Sequence, residues 1–231
     1  MGYSLAWVAV KGRSRAELEQ MLGLQRTGKR GDYGAHALVG RDLQDGWYIL
    51  IANGCEDRIA KSKTLAQLSK GAQALACSIE EHVMFSSCAF WKAGKKIWSV
   101  MHRGDRNVFD LVDSGKPPEN YTSLKQEMIA AQKAEGGENA GVDVVFEIPL
   151  RLAEQLVGFK HDEGETETVA EAYEIFELNF RQRVSRAVAR SMPWLYLAGV
   201  LVGVMALLGA VAISARSALY WIIAVVKDFL A

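Results

Sequence analysis

The sequence lacks a surplus of either charge: its 231 residues carry 27 Lys and Arg against 27 Asp and Glu. Only Arg216, Lys227 and Asp228 are charged after Arg190, which leaves 25 basic and 26 acidic groups in residues 1–190. A neutral domain of this kind argues against nucleic-acid binding by counterion release, which needs a Lys/Arg excess. Balanced charge with ordinary apolar content also excludes an acidic, disordered chain. Cysteine is scarce as well. Cys55, Cys77 and Cys88 are an odd number without C-x-x-C spacing, which fits neither a disulfide framework nor a zinc site and suggests a reducing compartment. There is no basic leader with a cleavage signature, and Ala6 stands where N-myristoylation requires Ser or Thr. No repeat of 20–50 residues is visible.

The alternation of apolar and turn residues predicts an α+β domain, with a mostly antiparallel or mixed sheet and flanking helices, over residues 1–160. A first strand runs through Tyr3 to Val10, then Ser14 caps a helix carrying Leu18, Met21 and Leu22 that stops at Gly23. The glycine-rich stretch 26–46 has no period and is expected to be loop. Trp47 to Ala52 reads as a buried strand, Thr64 to Lys70 as a short helix, and Ala72 to Ile79 as another strand. A hairpin joins Val83–Lys92 to Lys95–Arg103 through Ala93-Gly94, a register that sets Phe90 opposite Ile97 and Phe85 opposite His102. Phe109 to Val112 adds strand character, residues 119–136 favour helix with Leu124, Met128 and Ala131 on one side, and Val142 to Ile148 reads as strand. Pro149 then opens a helix that ends at Gly158.

The C-terminal part differs. Seven acidic and no basic residues lie between His161 and Phe180, followed by Arg181, Arg183, Arg186 and Arg190. Apolar residues recurring at three to four predict a helical connector over 161–192, with a strand across Ala172–Leu178 as the alternative. Residues 193–214 are 22 uncharged residues, about 33 Å as a helix against a bilayer core of about 30 Å. A transmembrane helix is expected here, with Trp194, Tyr196, Arg216 and Trp221 at the two interfaces. The arginines before it place the N-terminal domain in the cytoplasm, at the inner membrane, as a single-pass, tail-anchored protein. Residues 215–231 are expected to form an interfacial amphipathic helix, with a tilted return hairpin as the alternative. Gly199, Gly203, Ala206 and Ala210 form a small-residue stripe suited to homo-oligomer packing in lipid.

Candidate chemistry is sparse. Gly23 to Lys29 satisfies G-x-x-x-x-G-K, but Arg30 stands where a phosphate-binding loop needs Ser or Thr. Glu80, Glu81, His82, Cys88 and His102 gather near the hairpin, yet His82 and Cys88 are six residues apart along a strand and too distant for a dyad. No catalytic, cofactor or metal residue is therefore assigned. Trp91 and Trp98, on one face in the expected register, are candidates for a partner patch as well as for core. The expected function is a non-enzymatic module that binds a protein partner at the bilayer surface, in an adaptor, regulatory or immunity-type role. The alternatives are a pore built from the C-terminal segments and a small membrane-bound hydrolase.

Overall fold

Along the chain the strands are β1 (Ser4–Lys11), β2 (Leu24–Gly31), β3 (Leu38–Asp42), β4 (Trp47–Asn53), β5 (Gln73–Glu80), β6 (Phe85–Lys92), β7 (Lys95–Arg103), β8 (Leu111–Gly115) and β9 (Tyr173–Leu178). The helices are α1 (Arg15–Leu22), α2 (Ser62–Leu68), α3 (Tyr121–Ala134) and α4 (Glu147–Val157). The structure is a computed structural model and describes residues 2–162 and 173–179. The strands pair antiparallel into one sheet of order β2-β9-β3-β4-β1-β5-β6-β7-β8. This is the α+β architecture that the sequence predicts.

The central strands are apolar on both sides because both faces are covered. Leu5, Trp7 and Ala9 of β1 point into a core shared with Tyr121 and Leu124 of α3 and Ile148, Leu152 and Ala153 of α4. Val8 and Val10 point the other way, towards Leu18 and Leu22 of α1 and Leu65 and Leu68 of α2. At α1, Ser14 and Glu17 form a reciprocal capping box and Gly23, in the left-handed region, ends the helix, as expected from Ser14 and Gly23.

Several sequence expectations are corrected. The stretch 26–46 is not all loop, because it contains most of β2 and all of β3. Residues 173–178 are a strand, the alternative to the helical connector that the sequence left open across Ala172–Leu178. Their Tyr173 and Ile175 face one core while Phe176 and Leu178 face the other, and β9 fills the gap between β2 and β3, which pair with nothing else on those sides. The sheet therefore includes residues beyond 160. Glu174, from the acidic stretch, pairs with Arg15 at 3.0 Å on the face of α1, and Arg15 also stacks its guanidinium over Tyr48.

Residues 142–146 are a turn, not a strand. Side chains there take the place of a ladder: the Gln132 amide donates to the carbonyls of Gly137 and Val142 and accepts from the Val144 N–H, and Asp143 accepts from the Phe146 N–H. Helix α4 begins at Glu147, so Pro149 is its third residue rather than its first. That position still lies in the first turn, where a missing N–H costs nothing. The remaining connector residues, 163–172 and 180–192, together with 193–214 and 215–231, lie outside the described residues. So do Arg181, Arg183, Arg186, Arg190, Trp194, Tyr196, Arg216, Trp221 and the stripe Gly199, Gly203, Ala206 and Ala210.

The hairpin turns at Ala93-Gly94, both at positive φ, the backbone of a tight two-residue connection. Its register then shifts. Trp91 pairs with Lys96 but Phe90 pairs with Trp98, so Ile97 is an extra residue, and Phe85 meets Arg103 and Ser86 meets His102. Because side chains alternate, a one-residue shift exchanges faces along the rest of β7. Gly115 lies opposite Trp98 at φ +78°, and a Cβ there would collide with the Ile97 carbonyl oxygen. Gly115→Ala is expected to destabilise the domain by roughly 1–3 kcal/mol, through strain at positive φ and a backbone clash. Urea unfolding measures the loss, and amide exchange is expected to show it concentrated in β7 and β8.

Candidate functional site

The polar groups that the sequence gathers at the hairpin separate into four arrangements. Cys88 is buried directly opposite Cys77 on β5. His102, fully buried, meets Asp143 through Nε2 at 2.8 Å and the Asp110 carbonyl through Nδ1 at 3.1 Å, holding the turn before α4 against β7. Ser86 adds a 2.7 Å bond to the Phe146 carbonyl. Cys88 and His102 thus share a face, contrary to the expected register, because of the extra residue at Ile97. Glu81 accepts from the Tyr3 N–H at 2.8 Å and pairs with buried His161 at 3.1 Å. Glu80, which bonds His82, lines a cleft on the opposite face.

That cleft, of about 380 Å³, is lined by Cys55, Glu56, Lys61, Ser78, Glu80, Val83, Phe85, Arg103, Asp105 and Arg106. On its sheet side Phe85 and Arg103 are paired across β6 and β7, and Ser78 begins a row that continues through Ser87, Met101 and Val112 to β8. Its wall is the turn after β4, where Gly54 at φ +96° donates its N–H to the Ser4 carbonyl and the Cys55 N–H donates to Ser4 Oγ at 3.4 Å. The Ser4 hydroxyl donates in turn to Glu80, whose other oxygen lies 2.7 Å from His82 Nδ1.

The order of these groups decides their chemistry. A thiol nucleophile needs a base beside sulfur and a carboxylate behind the base. Here the carboxylate of Glu80 stands beside Cys55 and the imidazole of His82 lies on its far side. Bonds from Ser4, first, and His82 hold the Glu80 carboxyl below its ordinary value and keep it ionised. Burial, and then the negative Glu80, push the Cys55 thiol up. The thiolate is suppressed where catalysis would require it.

Trp91 and Trp98 are not brought together. Trp98 belongs to the core beneath α3 and α4 and Trp91 to the core beneath α1 and α2, and both are buried. The sequence suggested one patch because the extra residue at Ile97 lies between them. The stretch Gly23 to Arg30 is the end of α1 and the edge strand β2, not a strand-to-helix loop that could cradle phosphate. Among the described residues no three His, Cys, Asp or Glu are grouped to hold a metal ion, and no helix is long and apolar enough to cross a membrane.

What sequence reading misses is a strip of the sheet that no core covers among the described residues. Beyond α2, Phe85, Met101 and Val112 belong to neither core, and Val83 and Val112 are 48% and 42% exposed. The alternation of β7 could have revealed it only with the extra residue at Ile97 known.

Native alkylation with iodoacetamide near neutral pH is expected at Cys55 alone, slowly, since Cys77 and Cys88 are buried. Removing the adjacent negative charge by Glu80→Gln lowers the thiol pKa, enlarges the thiolate fraction and speeds labelling severalfold. An unchanged rate would show that Glu80 does not act on this thiol. Comparison with protein-family models, with curated proteins and with solved structures finds no match to this chain.

Proposed function

We propose that this protein is a non-catalytic binding module held at a membrane surface by residues 193–214. The anchor reading is supported by 22 residues without a charge, enough for one crossing as a helix. Arg181, Arg183, Arg186 and Arg190 just before them favour a cytoplasmic side for the domain. The neutral domain has no basic surplus with which to hold nucleic acid.

The observation that carries the binding role is the strip of Val83, Phe85, Met101 and Val112, which belongs to neither core among the described residues, beside a charged rim that includes Lys61, Arg103 and Arg106. An apolar strip with a polar rim is the usual anatomy of a protein–protein contact. The partner is a protein that places an apolar side chain on this strip and polar groups against a rim of both charges, where Lys61, Arg103 and Arg106 alternate with Glu56, Glu80 and Asp105. A non-catalytic role is favoured by Cys55, the one partly exposed cysteine of the chain, because burial and Glu80 push its thiol up rather than down.

In cell extracts the full chain is expected to sediment with membranes and to resist alkaline carbonate, whereas a chain ending at residue 192 stays in the supernatant. Sedimentation of both, or of neither, would overturn the anchor. Cross-linking of the membrane-bound chain is expected to yield an adduct that Val83→Asp with Val112→Asp abolishes while sedimentation is unchanged. An adduct of undiminished yield removes the strip as the contact.

A further inference from the structure

We propose that Cys77 and Cys88 are an intramolecular disulfide site, oxidised by a hydroperoxide when α4 lifts from the sheet. The two residues are direct partners across β5 and β6, and both belong to the core beneath α4. Directly opposed residues on antiparallel strands have Cα atoms about 4.5 or 5.5 Å apart, depending on their place in the ladder. Both values lie inside the roughly 4.4–6.8 Å window of disulfides. The pairing therefore holds the two backbones at a spacing that a disulfide can bridge. The thiols also sense each other, because Cys88 is among the causes that push the Cys77 thiol up, after burial.

Burial shields both thiols from oxidants in the closed fold. Cys77 and Cys88 are 1% and 0% exposed, under a helix that packs on β5, β6 and β7. A peroxide reaches them only when α4 opens. One thiol, losing its proton to water, then attacks a peroxide oxygen, the O–O bond breaks, and a sulfenic acid forms as water or an alcohol leaves. The second thiol attacks that sulfur, the S–S bond forms, the S–O bond breaks, and water departs with the remaining proton. Two thiols are oxidised by two electrons and one hydroperoxide is reduced. Closing this link fastens β5 to β6 beneath the displaced helix, and the third cysteine, Cys55, stays outside it at the cleft.

The test uses the detergent-solubilised full chain. It is treated with hydrogen peroxide, with and without sub-denaturing urea, then denatured, alkylated with N-ethylmaleimide and cleaved with trypsin. Residues 71–92 contain both cysteines and no internal Lys or Arg, so they are released as one peptide. The expected product is that peptide without adducts and two hydrogens lighter, formed severalfold faster in urea and reconverted by dithiothreitol. Cys55→Ser is expected to leave the product unchanged, and Cys88→Ala, which keeps a small apolar side chain, to abolish it. A doubly alkylated peptide after oxidation, over-oxidised sulfur without the link, or a link to Cys55 would each overturn the proposal. Equal rates with and without urea would overturn the gating by α4.

Discussion

One extra residue, Ile97, governs which side chains of the hairpin enter the core. A strand presents its residues alternately to two faces, so a register shift of one exchanges the faces for everything that follows. With Ile97 set aside, Trp98, Val100 and His102 point towards α3 and α4, and Met101 and Arg103 towards the other face. The shift is tolerated because Gly115 stands opposite it without a side chain. The burial of His102 and the alignment of Val100 with Cys88 and of Met101 with Ser87 all depend on it.

Polar groups then fix what hydrophobic burial leaves loose. Apolar packing of α4 on the sheet is non-directional, whereas its start is held by directed bonds from Ser86, His102 and Asp143. At the other side of the sheet Glu174 ties β9 to α1 through Arg15. Exposed ion pairs contribute little, about 0–1 kcal/mol, so this pair orients β9 more than it stabilises it. Most of the retention of β9 comes from its place between two strands and from Tyr173 and Phe176, buried on opposite faces.

The same ionisable residue types have different roles according to their neighbours. Glu80 stays ionised at the surface and suppresses a thiol, while Glu81, one position along the chain, turns inward to His161 and the Tyr3 amide. Cys55 is kept protonated by burial and by a carboxylate, and Cys77 by deeper burial and a second thiol. Both thiols are thus pushed towards their protonated form, and the proposed binding role rests on the strip beside Cys55.

Local signals were legible in the sequence: Ser14 and Gly23 at the two ends of α1, the apolar run of β4, the Ala93-Gly94 turn, and Gly158 ending α4. Each depends on a few consecutive residues whose backbone preferences act alone. The uncharged stretch 193–214 and the arginines before it are equally a property of the chain as written, and the membrane reading rests on them. Tertiary structure decided the rest. Strand β9 shows helical spacing yet becomes a strand because two strands distant in sequence leave their edges open to it. Residues 142–146 have strand composition yet form a turn because Gln132 and Asp143 satisfy their backbone. The sides of Trp91 and Trp98, the opposition of Cys77 and Cys88, and the strip beside Cys55 follow from pairing register, which long-range contacts set and short-range propensity does not encode.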